Sequence, residues 1–344
     1  MTRYLYVMLL CFALGCGSMA CAPKRVEPTA VRPFKFAAYG DMPYGVLMPD
    51  GRSDTQVLVE DIAPEIRRRE DLPFVIHLGD LGRPQDACTD AQLEKFKEFW
   101  ATELRKPVFY TPGDNDWTDC DRPELPTPTS ELARLAAVRR IFFSQPMDLG
   151  PAWRYETQSS QPENAIWWYG GVLFITVHMV STNNGRTEIL LDDPAQAIAL
   201  VDKRDEANRL WLQHAFMLAT QHGAAAVVIA TQLDPFGPPK GEMDAFTRCQ
   251  KQPAYAAFCE QILMHSANLG KPVLLVHGDT SAYCLDQPFP TTRAPKLWRL
   301  NAPGDFKVTD VAVISVNPDS ADQPFIVTGL LSGQLAPQKC DYSR

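Results

Sequence analysis

Four apolar runs in this chain end on the same dipeptide, Gly-Asp. Their aspartates are Asp41, Asp80, Asp114 and Asp279. Short apolar runs that stop at a glycine are typical of buried strands, so each aspartate is predicted to lie where a strand leaves its sheet. Active sites of α/β sheets form at that edge. Carboxylates that converge there repel one another unless a cation lies among them, so the pattern predicts a metal site.

The order of the other patterns indicates that this chain of 344 residues consists of a leader followed by an α/β domain. Helical spacing of apolar residues predicts helices over about 55–69, 90–104, 130–143, 204–222 and 255–267. Strands are predicted at 34–39, 74–78, 108–111, 165–169, 172–177, 225–230, 273–276, 296–300, 311–316 and 325–328. The first part therefore alternates strands and helices, and the last part is a run of strands. We expect a single domain over residues 34–344.

The N-terminus has the layout of a secretory signal, with Arg3, an apolar stretch over residues 4–14 and small residues after it. The stretch is shorter than the ~20 apolar residues of a membrane span. Residues 13–16 also resemble a bacterial lipobox, and residues 18–21 are a second candidate, so either Cys16 or Cys21 could carry a lipid. We expect residues 1–21 to direct export and residues 22–33, which contain three prolines, to be a linker. The predicted location is the periplasm, either free or as an outer-membrane lipoprotein whose only membrane contact is that anchor.

Cysteine usage fits this location. Beyond the leader there are six: Cys88, Cys120, Cys249, Cys259, Cys284 and Cys340. An even number in an exported chain predicts disulfides, although several connectivities are possible. We predict the pairs 88–120, 249–259 and 284–340, of which the first would tie together the loops after the second and third Gly-Asp. A zinc cluster is not favoured, because no Cys-x-x-Cys spacing occurs.

Composition and motifs exclude several classes of function. The formal net charge of −8 and the pI near 5.3 give no basic surface for nucleic acid. The chain has no Gly-x-Ser-x-Gly nucleophile elbow and no phosphate-binding P-loop. Neither a serine hydrolase nor a P-loop nucleotide-binding protein is therefore expected.

Taken in order, the motifs at residues 40–43, 79–81, 113–116, 232–235 and 278–281 resemble those of the calcineurin-like metallophosphoesterases. The likeness is greater to a divergent bacterial branch with Gly-Asp-x-Pro-Tyr, Thr-Pro-Gly-Asp-Asn-Glu-Trp-Thr-Asp-Cys and His-Gly-Asp-Thr-His motifs. Residues 40–44 and 111–120 match the first two, with Asp116 in place of Glu. The resemblance implies a four-layer α/β/β/α sandwich of two mixed sheets.

The resemblance also implies roles for the site residues. Metal ligands would be Asp41, Asp80, Asp114, Asn115 and Asp279, with Asp80 bridging two ions. Catalytic groups would be Asn115, Asp116 and His277, and the weaker candidates for substrate contact are Arg122, Asn183 and Asn184. One or two divalent cations, Mn²⁺, Mg²⁺, Ca²⁺ or Fe²⁺, would suit this oxygen-rich set better than zinc.

Three functions stay open at this point. The first is an exported metal-dependent phosphoesterase acting on a small phosphoester or phosphoanhydride through a metal-activated water. The second is a catalytically degenerate relative kept as a binding or scaffold protein, because Pro43, Asn115, Gln232 and Ser281 stand where ligand or catalytic histidines are expected. The third is a single loop-stabilising ion. Each aspartate could also merely cap a turn, and His277 could be a core histidine.

Overall fold

The computed structural model describes residues 32–237, 243–280, 282–291, 293–340 and 342. These residues form twelve strands, which are β1 (Phe34–Tyr39), β2 (Val75–His77), β3 (Val108–Tyr110), β4 (Glu156–Gln158), β5 (Gln161–Tyr169), β6 (Val172–Thr176), β7 (Val227–Ala230), β8 (Val273–His277), β9 (Cys284–Asp286), β10 (Leu297–Asn301), β11 (Ala312–Val316) and β12 (Phe325–Gly329). Two sheets contain them all.

The two sheets are both mixed. The first has the order β12-β11-β1-β2-β3, in which β1, β2 and β3 are parallel and β11 and β12 are added antiparallel. The second has the order β4-β5-β6-β7-β8-β10-β9, in which β6, β7, β8 and β10 are parallel. The parallel strands are neighbours in each sheet, in the middle of the second sheet and on one side of the first, where β3 is the edge strand. Their carboxyl ends therefore point the same way within each sheet.

Helices connect most of the parallel strands, and one more leads from the first sheet to the second. They are Asp54–Val57 and Ala63–Arg68, joined by a wider π turn at Leu58–Ile62, then Asp90–Phe99 with a π turn at Trp100–Leu104, Glu131–Phe142, Pro194–Gln221, Ala245–Gln250 and Pro253–Leu269. Single turns occur at Thr118–Asp121, Pro151–Trp153 and Ser181–Gly185. Side-chain caps begin several of them: Ser53, Thr89 and Ser130 each accept a hydrogen bond from the backbone N–H three residues on.

Alternating side chains of the strands fill three apolar layers. In β1, Phe36 and Ala38 belong to the core between the sheets, whereas Ala37 and Tyr39 belong to the core beneath the first set of helices. Across the middle layer the ring of Phe109 stacks on that of Trp167 with centroids 3.6 Å apart. A third core lies between the second sheet and the Pro194–Gln221 and Pro253–Leu269 helices. The four-layer α/β/β/α sandwich is therefore confirmed.

One long helix begins earlier than its spacing predicts. It starts at Pro194, with the Asp193 carboxylate accepting from the Gln196 N–H, instead of near residue 204. Ile198 and Leu200 are exposed in its first turns, so the apolar residues there do not follow one buried face. The Asp-Pro pair is a helix-start signal that the periodicity alone does not carry.

All three predicted disulfides are present. Cys88 is bonded to Cys120, Cys249 to Cys259 and Cys284 to Cys340. The first joins the loops that follow β2 and β3, as expected. Such bonds are typical of proteins that fold in an oxidising compartment.

The predicted signal peptide and lipobox, at residues 1–21, lie outside the described residues, as do linker residues 22–31 and Ser281. In the described part of the chain, no helix combines the length and the apolar character that a membrane crossing requires.

Candidate metal centre

Three of the four predicted aspartates meet at one point. One carboxylate oxygen each from Asp41, Asp80 and Asp279 lies within 4.8 Å of the other two. The residues follow β1, β2 and β8, and so bring together both sheets. All three have left-handed backbone angles, with φ of 51°, 59° and 63°. Three such residues in one cluster mark a site where the chain holds side chains in a demanding arrangement.

Glycines leave the space that these carboxylates fill. A Cβ atom on Gly278 would lie 2.2 Å from Oδ2 of Asp41, and one on Gly113 would lie 2.0 Å from Oδ1 of Asp80. Neither distance is compatible with a side chain. The glycines of the Gly-Asp pairs therefore serve the site directly, by letting a neighbouring carboxylate approach the backbone.

Neutral donors surround the three carboxylates. The backbone N–H of Asp279 donates to both oxygens of Asp41, each at 3.1 Å. The Tyr44 hydroxyl donates to Asp80 at 2.8 Å. The Ser181 hydroxyl donates to Asp279 at 2.7 Å, and the Gln232 amide donates to its other oxygen at 3.2 Å. These bonds orient the carboxylates without cancelling their charge.

The electrostatics of the cluster are unfavourable without a cation. Burial raises the pKa of Asp41, of Asp80 and of Asp279 well above the ordinary range, and neighbouring carboxylates, including Asp114, raise it further. The charged neighbours with the largest effects on these pKa values are all acidic. A bound cation would relieve both the desolvation and the repulsion.

Asp114 and Asn115 stand beside this group. Asp114 is outside the three-carboxylate cluster and accepts hydrogen bonds from the Gln232 amide at 3.0 Å and the Thr182 hydroxyl at 3.2 Å. The Asn115 amide donates to Asp80 at 3.2 Å and to the Tyr44 oxygen at 3.1 Å. Asn115 thus presents its nitrogen to Asp80, which suits a hydrogen-bond donor rather than the metal ligand expected from the resemblance.

Asp116 has a different role from the catalytic one expected. Its buried carboxylate accepts from the N–H groups of Asp80, Leu81 and Gly113 at 3.0, 2.8 and 2.8 Å, and from the Tyr110 hydroxyl at 2.7 Å. Every one of these donors belongs to the loops after β2 and β3 or to β3 itself. Asp116 therefore positions Asp80 through its backbone and is not open to a substrate.

His277, the third expected catalytic group, points into the protein. Its side chain is fully buried, with Nδ1 2.9 Å from the Gly278 carbonyl oxygen and Nε2 3.7 Å from an oxygen of Asp234. Burial lowers its pKa, so the ring is neutral near pH 7. The core-histidine alternative describes it, and none of the six histidines of the chain is a member of the acidic cluster.

Of the three weaker substrate candidates, Arg122 and Asn184 are already bonded to other side chains of the protein. Arg122 forms ion pairs with Asp119 at 2.8 Å and Glu188 at 3.0 Å. Asn184 is buried and donates to Asp205 at 2.7 Å, so it serves the structure of its turn. Asn183 lies in the same left-handed turn, with φ of 54°, and is half-buried.

Several residues of the site were not singled out from the sequence as ligands or donors, and they follow strands too. Ser181 and Thr182 come shortly after β6, and Gln232 comes shortly after β7. The rule that polar residues at strand ends converge extends to them, although none of the three stands in the Gly-Asp signal that marks the aspartates. Tyr44 is the last residue of the Gly-Asp-x-Pro-Tyr motif, and its hydroxyl reaches the centre.

Comparison with known proteins adds evidence for the fold alone. No protein-family model matches this chain, and no curated protein matches its sequence. Solved structures do match. One of them, titled "Structure of PhoD", superposes with a TM-score of 0.55 and 13% identity, covering 92% of this chain and 74% of that one. The chain therefore shares its fold with that structure, and membership of the calcineurin-like family stays a prediction.

Proposed function

We propose that this protein is an exported, metal-dependent phosphoesterase that hydrolyses a small phosphoester or phosphoanhydride. The observation that carries the proposal is the convergence of Asp41 and Asp80, which are buried, with the half-buried Asp279, all with only acidic residues among their strongest charged neighbours. A protein gains nothing in stability from such a cluster, because each charge loses its hydration and repels the other two. A bound cation would offset both the lost hydration and the repulsion.

The donor set fits a hard divalent cation. Asp41, Asp80 and Asp279 offer oxygen atoms, and oxygen ligands suit Mg²⁺, Mn²⁺ and Ca²⁺. When bound, such an ion supplies a water of lowered pKa and polarises a phosphoryl oxygen. The remaining steps belong to the chain. Asp279 and Asp41 are held together by backbone hydrogen bonds, so the ligand positions are set before any substrate arrives.

Uncharged donors at the rim would orient the phosphoryl group. The Asn115 amide and the Tyr44 hydroxyl meet at Asp80, and the Ser181 and Thr182 hydroxyls lie beside Asp279 and Asp114. Each of these groups is an uncharged hydrogen-bond donor, so it could donate to a phosphoryl oxygen in place of a carboxylate when a substrate enters. They would place the phosphorus atom for attack.

The test is the metal content of the purified protein. Elemental analysis should find metal in the parent and little in a folded Asp41→Ala/Asp80→Ala variant. The matched control is Asp71→Ala/Asp86→Ala, which removes two carboxylates that form ion pairs of their own with Arg69 and Arg83. Turnover of phosphomonoesters, phosphodiesters and phosphoanhydrides should follow the metal. A parent that stays metal-free after loading with Mn²⁺ and Mg²⁺ contradicts the proposal.

The second candidate is a catalytically degenerate binding protein. Asn115 favours it, because this residue stands where the resemblance expects a catalytic histidine and its amide is engaged by Asp80, Tyr44 and the Gly82 carbonyl. This candidate predicts no turnover with any phosphoester and a metal content that alanine at Asp41 and Asp80 leaves unchanged. Metal without turnover would point to the loop-stabilising ion.

A further inference from the structure

A pocket of about 370 Å³ opens between the Glu131–Phe142 helix and the Pro194–Gln221 helix. It includes none of the three aspartates of the metal centre. Its volume lies in the range of small-molecule sites. Apolar side chains form much of the wall, among them Leu135 and Val201, and the polar residues Glu131, Gln161 and Arg204 also line it.

Arg204 is a buried cation without a counterion in the described part of the chain. It is 6% exposed, and Nη2 donates to the carbonyl and side-chain oxygens of Asn184 at 2.6 and 3.0 Å. Its Nε has no partner. The nearby carboxylates Asp205 and Glu163 are ion-paired with other arginines. Burial lowers the pKa of Arg204 to about 10, so the guanidinium stays charged near pH 7.

Two further polar groups of the wall have atoms without partners. Oε1 of Glu131 and Oε1 of Gln161 are buried and form no hydrogen bond. Burial and the neighbouring carboxylates raise the pKa of Glu131 to about 9, so near pH 7 it is protonated and can donate. Unpartnered buried polar atoms cost free energy, and three residues that line one pocket carry them.

We propose that this pocket binds a small organic carboxylate with an apolar body, whose carboxylate group pairs with Arg204. A carboxylate matches the planar guanidinium and supplies the missing negative charge. Leu135 and Val201 would cover the hydrocarbon part. A phosphate would suit the charge of Arg204 equally, but it would leave the apolar wall uncovered.

Occupation of this pocket would reach the metal centre through two shared residues. Trp117 lines the pocket, stacks under the Arg204 guanidinium at 4.9 Å and belongs to the same loop as Asp114 and Asp116. Arg204 also holds the turn that carries Ser181 and Thr182, through Asn184. A ligand on Arg204 would therefore order both segments that border the centre.

Octanoate is the probe for the test, titrated into the full chain by calorimetry and followed by tryptophan fluorescence. Octanoate should bind saturably at one site. Octanol, its uncharged counterpart, should bind at least about tenfold more weakly. Arg204→Met should weaken octanoate binding by a similar factor. Arg209→Met, on the exposed face of the same helix, is the matched control and should leave it unchanged.

Ala136→Phe provides a second variant that leaves Arg204 in place. Ala136 is exposed and lines the pocket, so a phenyl ring there should narrow the entrance and weaken binding without unfolding the protein. Absence of saturable binding by octanoate, hexanoate and butyrate would overturn the proposal. So would equal affinity for octanol and octanoate, or octanoate binding that Ala136→Phe leaves unaltered. Inorganic phosphate that binds as tightly as octanoate, and that Arg204→Met weakens by the same factor, would also overturn it.

Discussion

Two carboxylates of the second sheet, the half-buried Asp279 and the buried Asp234, lie at neighbouring strand ends and have opposite surroundings. Asp234 is close to His277 and Arg299, with side-chain N···O distances of 3.7 Å to each, and the Tyr342 hydroxyl donates to it at 2.6 Å. Burial opposes its charge, but His277 and Arg299 bring the pKa of Asp234 below its ordinary value. Asp279 has Asp114 and Asp41 instead, and its pKa is raised.

The difference teaches how to separate a structural carboxylate from a ligand. Arg299 also pairs with Asp286 at 2.6 Å, so Asp234 belongs to a group that contains charges of both signs. The strongest charged neighbours of Asp279 are acidic, so its counter-charge has to come from a bound cation. Both residues are acidic and follow strands, and it is the sign of the neighbouring charges that distinguishes them.

The largest effect should come from Asp80→Asn. Asp80 lies centrally in the acidic cluster, so its loss should remove bound metal and lower turnover by about 100-fold or more. Phosphoester hydrolysis with Mn²⁺ present measures it, and circular dichroism verifies the fold. Activity equal to that of the parent would mean that the centre is not catalytic.

Asp234→Asn should lower the stability of the protein and leave its metal content unchanged, the opposite of what is expected for Asp80→Asn. It removes the carboxylate that accepts from Tyr342 and faces His277, while Arg299 keeps its ion pair with Asp286. Loss of a buried hydrogen bond to a charged group costs up to about 3 kcal/mol of unfolding free energy. Metal content should stay near that of the parent. Urea denaturation and elemental analysis together check this. A stable variant that had lost its metal would erase the distinction between the two regions.

Mn²⁺ should stabilise the protein only through the cluster of Asp41, Asp80 and Asp279. At a concentration of about 100 times its dissociation constant, a ligand specific for the folded state adds ~2.7 kcal/mol. The thermal midpoint should therefore rise with Mn²⁺ in the parent and in Arg209→Met, and stay constant in Asp41→Ala/Asp80→Ala. An equal rise in all three proteins would place the ion elsewhere.

Glu131 is a third buried carboxylate, away from both Asp279 and Asp234, and its surroundings should have the smallest of these effects on stability. Its pKa is raised to about 9, mainly by burial, so the folded state holds a proton that the unfolded state releases above its ordinary pKa. Stability is therefore lost as pH rises from about 4.5 towards 9. Glu131→Gln should match the parent near pH 4 and exceed it by about 1 kcal/mol near pH 8, measured by urea denaturation. A parent and variant with parallel pH profiles would refute the assignment.

The sequence predicted which aspartates converge better than what each residue does there. Strand ends can be read from apolar runs that stop at glycine, and this rule found Asp41, Asp80 and Asp279. It could not tell that Asp116 turns inward to backbone amides or that His277 faces Asp234, because the direction of a side chain in a turn depends on contacts from distant strands. Gln232 and Ser181 reach Asp279 through such distant contacts as well.

Asp116 separates the position of a ligand from its identity. The path of the loop that carries Asp80 is held by hydrogen bonds from its peptide groups to Asp116, and none of these bonds involves the Asp80 side chain. A change of side chain at the centre can therefore leave the backbone frame intact. A frame of this kind would let single substitutions change the chemistry of the centre, and a histidine in place of Asn115 would enter a loop whose path Asp116 already holds.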